Sequence, residues 1–121
     1  MNEVTLTLDL NKKPSNQRVV ISKSDVRAPV LNVYVADNGT TLNYAGLNGY
    51  TKRLKIRNPS GGHINIENPS VSSDGRLSFV MRPKHIGAAP GETFGYVELS
   101  KSDQTLSTAR FAVTILDEAE V

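Results

Sequence analysis

The chain has 121 residues, with 14 Lys and Arg against 12 Asp and Glu, and contains neither cysteine nor tryptophan. That length closes one hydrophobic core, and the lack of cysteine excludes disulfides, thiolate metal sites and cysteine nucleophiles. A net charge of +2 argues little for nonspecific nucleic-acid binding, which needs several phosphates neutralised together.

No apolar run approaches the roughly 18 residues of a membrane span. Met1-Asn2-Glu3 carries no basic segment leading into an apolar stretch, so no secretory leader is expected.

The first element is a strict two-residue alternation, Val4-Thr5-Leu6-Thr7-Leu8-Asp9-Leu10. It predicts a strand with Val4, Leu6, Leu8 and Leu10 turned to a core and the threonines and Asp9 outward. This stretch is also a plausible edge strand. Asn11 to Asn16 reads as a loop, Arg18-Val19-Val20-Ile21 as a short strand, and Ser22 to Pro29 as a connection. Val30 to Ala36 is rich in β-branched residues and predicts an interior strand, with Leu31, Val33 and Val35 on one face.

Asp37-Asn38-Gly39-Thr40 supplies a hairpin turn. Thr41 to Tyr44 is expected to return as a strand, and Ala45 to Gly49 to form a loop. In Tyr50 to Arg57, Leu54 and Ile56 alternate with Arg53, Lys55 and Arg57, which therefore share the opposite face. Asn58-Pro59-Ser60-Gly61-Gly62 is turn chemistry, followed by a short strand from His63 to Glu67.

Asp74-Gly75 marks the next turn and leads into Leu77, Phe79 and Met81 on an inward face. Pro83 to Gly91 reads as a long loop and Phe94 to Ser100 as a strand. After a turn at Ser102-Asp103-Gln104, the last strand places Ala109, Phe111, Val113 and Ile115 inward. Residues 1–116 thus form one domain. Asp117 to Val121 reads as the stub of a linker or helix, with acidic residues suited to a helix's first turn. Eight or nine regularly spaced strands without an internal helix predict an all-β fold, an immunoglobulin-like antiparallel β-sandwich of about eight strands.

No reaction chemistry stands out. His63 and His85 are separated by several elements and lie in no acidic or His-rich motif, whereas a zinc site needs three or four ligands at tetrahedral spacing. No Gly-x-Ser-x-Gly elbow is present for a hydrolytic triad, and no carboxylate pair is placed for glycoside hydrolysis. Gly61-Gly62 lacks the lysine and following helix of a phosphate loop. No enzyme activity, cofactor or metal is expected.

The stripe Arg53, Lys55 and Arg57 is the candidate protein-interaction site, since three like charges on one strand face repel unless something neutralises them. Either cross-strand acids, Glu92 or Glu98, balance it, or a partner with an acidic surface does. Nucleic acid fits less well, because no aromatic residues interleave with the charges for base stacking.

Four motifs then follow in order. A strand ends in Asn58-Pro59-Ser60-Gly61-Gly62, and Asp74-Gly75-Arg76-Leu77-Ser78-Phe79 comes next. Gly95-Tyr96-Val97-Glu98-Leu99 and Ser107-Thr108-Ala109-Arg110-Phe111-Ala112-Val113 complete the series. This order, spanning Tyr34 to Leu116, resembles the N-terminal domain of the baseplate upper proteins of long-tailed phages.

The resemblance implies a virion protein of the tail baseplate, made in the host bacterial cytoplasm, that docks onto a central hub formed by the distal tail protein. It further implies downstream segments that trimerise and carry receptor-binding proteins, with no membrane partner. A carbohydrate-binding sandwich contacting host wall polysaccharide is the alternative, with Tyr44 and Tyr50 as its available aromatic platforms.

Overall fold

The computed structural model describes residues 3–11, 17–22, 30–81 and 90–116. The expected linker stub at 117–121, the connection at 23–29, most of the loop before Gly91, and His85 lie outside the described residues.

The described strands are β1 (Glu3–Asp9), β2 (Arg18–Ser22), β3 (Val30–Asp37), β4 (Thr40–Thr41), β5 (Thr51–Arg57), β6 (His63–Glu67), β7 (Ser70–Val71), β8 (Leu77–Val80), β9 (Gly91–Lys101), β10 (Gln104–Ser107) and β11 (Phe111–Leu116). They form two sheets in a sandwich. One runs β1-β3-β8-β7, with β4 hydrogen-bonded to β3. The other runs β2-β11-β9-β5-β6, with β10 beside β9.

The alternations read from the sequence explain the interior. Leu6 and Leu8 of β1, Leu31, Val33 and Val35 of β3, and Leu77 and Phe79 of β8 are all buried. They pack against Leu54 and Ile56 of β5, Val97 and Leu99 of β9, and Phe111, Val113 and Ile115 of β11. Burying side chains of this size stabilises the fold by about 1.5–3 kcal/mol each before conformational entropy is counted. As expected, β1 is an edge strand of its sheet among the described residues.

The sheets are mixed, where antiparallel pairing was expected. β1 pairs parallel with β3, Leu6 opposite Val33, and β2 pairs parallel with β11, Val19 opposite Val113. Alternation fixes which face a strand buries but is silent on the direction of its neighbour, so these two pairings had no sequence signal. A second difference is a single helical turn, α1 (Tyr44–Leu47), where a strand end and a loop were expected. Asn43 caps it by accepting the Gly46 N–H at 3.0 Å, and Leu47 anchors it in the core.

Two glycines are required by close approach. Gly75 sits at φ +94°, and a Cβ there would lie 2.1 Å from the Leu42 carbonyl oxygen. At Gly95 a Cβ would lie 2.8 Å from Cζ of Phe111 and 3.1 Å from the Lys55 carbonyl oxygen, so the missing side chain is what lets β9 lie over that ring.

Candidate functional site

The outer face of the six-stranded sheet collects the charges. Register sets Arg53 of β5 between Glu98 of β9 and Glu67 of β6. Lys55 lies between Tyr96 and Asn65, and Arg57 lies opposite His63. Arg53 bonds Glu67 and lies 3.5 Å from Glu98. Lys55 Nζ lies 3.3 Å from the other oxygen of Glu98.

Glu98 is the pivot of this ladder, since its side chain is only 15% exposed and serves both cations. The bond to Glu67 is also the main reason the Arg53 guanidinium is held above its ordinary pKa. The expected cross-strand acid Glu98 therefore does neutralise part of the stripe. Glu92 does not take part. It bonds Arg18 of β2, and with Thr114 also donating to it, that contact holds its carboxyl below the usual range, Arg18 being the larger cause. Arg57, at the end of the stripe, makes no ion pair with any described residue.

Beside Arg57 the face opens into a groove of about 710 Å³, which originates in the strand ladder. Along one side of β9, β10 ends with Ser107 opposite Glu98, and β11 begins with Phe111 opposite Gly95. Three residues, Thr108, Ala109 and Arg110, thus face two, Tyr96 and Val97, which is the count of a β-bulge.

Thr108 and Ala109 are consecutive and both buried. The Thr108 hydroxyl accepts the Val97 N–H at 3.0 Å and donates to the Ala109 carbonyl, while the Thr108 N–H donates to the Val97 carbonyl at 2.9 Å. The Ala109 N–H donates to the Asp9 carbonyl of β1 at 2.9 Å, so the bulge is tied to the other sheet as well as to β9.

Arg110 leaves the bulge exposed and lies over the ring of Phe94, its Cζ 4.1 Å from the ring centroid. Across the groove His63 and Tyr96 meet edge to face, centroids 6.4 Å apart. Arg57 and Arg110 both line this groove and neither has a carboxylate partner among the described residues.

Sequence reasoning found Arg53, Lys55 and Arg57 but missed Phe94 and Arg110. A signal for Phe94 was present: in Phe94-Gly95-Tyr96-Val97-Glu98 the inward positions are Val97 and Gly95, which turns both aromatics outward. Of the two tyrosines considered as sugar platforms, Tyr44 is exposed at the start of α1. Tyr50 is engaged by Lys101, 5.2 Å from its ring centroid, and by Gln104.

Among the described residues no three His, Asp or Glu side chains gather as a metal site. No helix in them is long and apolar enough to cross a membrane.

Comparison with solved structures finds the same fold in the N-terminal domain of phage TP901-1 ORF48. The TM-score is 0.73 at 18% sequence identity, with 96% of this chain and 99% of that chain covered. No curated protein sequence gives a significant match. The family model of the BppU N-terminal domain matches residues 2–121, so the chain belongs to that family of phage baseplate proteins.

Proposed function

We propose that this domain is the connector by which the periphery of a phage tail baseplate is attached to its central hub. The hub surface is that of the distal tail protein. Downstream segments of a longer, homotrimeric protein would carry the receptor-binding proteins used in host adsorption. The observation that carries this reading is the family match over residues 2–121.

The outer face described above supports it, since it offers a charged ladder and an open groove on a rigid sheet rather than on loops. Arg53, Lys55 and Arg57 stand on that face as the interaction stripe, two of them held in place by Glu98 and one presented to a partner. A stable interface of this kind buries about 800 Å² on each side. Repetition around a symmetric hub would raise modest single-site affinity through effective concentration.

Size-exclusion chromatography with light scattering tests the reading, using this domain and the distal tail protein of the same phage. Co-elution as a complex of defined stoichiometry supports it. Separate peaks at tens of micromolar, for the domain and for the full-length protein, would overturn hub docking. Calorimetry against host wall polysaccharide would then test the carbohydrate alternative.

A further inference from the structure

Among the described residues, the ion pairs on the outer face of the six-stranded sheet leave Arg57 and Arg110 over. On the outer face of the six-stranded sheet Glu92 is taken by Arg18, Glu67 by Arg53, and Glu98 by Arg53 and Lys55. Arg57 and Arg110 remain without a carboxylate among the described residues, and both open onto the groove beside the bulge.

The way Arg110 is held is informative. Its guanidinium carbon lies over the Phe94 ring, 4.1 Å from the centroid, a contact that restrains the long side chain. Arg110 thus meets a carboxylate with part of its side-chain freedom already lost, at reduced entropy cost. The Phe94, Tyr96 and His63 rings supply wall surface in the same groove. The floor is closed, because Thr108 and the Val97 backbone satisfy one another. An incoming chain therefore finds side-chain donors and ring surface here and no free sheet edge.

We propose that this groove is a docking site for an extended acidic segment of a neighbouring baseplate protein. One of its carboxylates would sit on Arg110 and another on Arg57, with the intervening side chain against Phe94 and Tyr96. Charge complementarity selects this occupant: two cations with unsatisfied donors flank the groove, and its nearest carboxylate, Glu98, is committed to Arg53 and Lys55. The inference rests on the docking role proposed above and deepens it by naming the surface and the partner's chemistry.

The test is a peptide array tiled across the tail proteins of the same phage, probed with the wild-type domain, with Arg57→Glu plus Arg110→Glu, with Arg110→Lys, and with Thr105→Glu as a control on the same sheet. Thermal melts establish that each variant is folded. Acid-rich segments should be captured by wild type and by the control, and capture should weaken with added salt. It should drop at least tenfold in the double reversal. Arg110→Lys should fall between, since lysine keeps the charge but loses the guanidinium's fork of donors.

Capture of a hub segment supports both readings. Capture of an acidic segment from another tail protein supports the groove and overturns hub docking through it. No acidic segment captured, equal capture by the double reversal, or Arg57-dependent binding of an anionic wall polysaccharide in place of peptides would each overturn the groove.

Discussion

The two sheets share one core yet use their outward polar groups in opposite ways. On the five-stranded sheet these groups tie the protein to itself. Asp9 accepts the N–H groups of Asn38 at 2.9 Å and Gly39 at 2.8 Å, locking the end of β1 to the β3–β4 turn. Asn32, buried, accepts from Ser78 at 2.7 Å and donates to Glu3. Tyr34 donates to Asp74, which also holds Ser72 and so the turn into β8.

On the six-stranded sheet the charges meet across strands at the surface, where ion pairs contribute little to stability, and Arg57 and Arg110 have no carboxylate among the described residues. One sheet is a frame and the other a face. With the groove docking a partner as proposed, stability and recognition would be separately mutable in such a layout.

Substitutions sharpen that contrast. The largest effect is expected at Gly75→Ala, where the new methyl meets a backbone carbonyl that cannot swing away, at a φ that disfavours side chains. The loss should be about 3 kcal/mol or more by urea unfolding. Gly95→Ala, on the other sheet, meets chiefly a Phe111 ring that can shift, and should lose about 1–3 kcal/mol. Equal losses would mean the two approaches are equally rigid and would weaken the distinction.

Asp9→Ala comes next. It removes a carboxylate from three exposed backbone donors, the N–H groups of Asn11, Asn38 and Gly39, for an expected loss of about 1–2 kcal/mol, with binding to the hub protein unchanged. A hub-binding defect at full folding would place the frame sheet in the interface.

The smallest effect is a pH dependence. Ser72, chiefly, and then Tyr34 hold the Asp74 carboxyl below its ordinary value. A carboxyl with a depressed folded pKa adds stability above its unfolded value, and that stability fades as pH falls through the folded value. The melting temperature of wild type should exceed that of Asp74→Asn near neutral pH, with the gap closing below about pH 4. Melts between pH 2 and 7 measure it, and a constant gap would deny the carboxylate's role. The same bond holds the Tyr34 hydroxyl above its usual value, so its contribution is present below about pH 10 and lost as pH rises through the folded value.

Most of the frame was legible in the chain, because burial on one side imposes strict alternation. Leu6 and Leu8, Leu77 and Phe79, and Phe111 and Val113 declare their faces without any partner being known. Strand neighbours were not legible, since the parallel partners of β1 and β2 lie far along the chain and depend on how the connections cross. Nor was α1, whose four residues are too few for a periodic signal, although Asn43 and the core residue Leu47 mark its ends.

For the face, the sequence pointed to the Arg53–Arg57 stripe and to Glu98 as its counter-charge. It did not reveal the groove. That depends on one extra residue between β10 and β11, a count that appears only once both strands are set against β9.

The parallel pairing of β2 with β11 has a mechanical consequence. A pull that enters at the start of β2 and leaves through the end of β11 draws these two strands along their length in opposite directions. The rungs from Arg18–Ala112 to Ser22–Leu116 are then strained together in shear, whereas an antiparallel hairpin pulled from its open end would unzip one rung at a time. Resistance to such a load is governed by the rate of forced opening rather than by equilibrium stability.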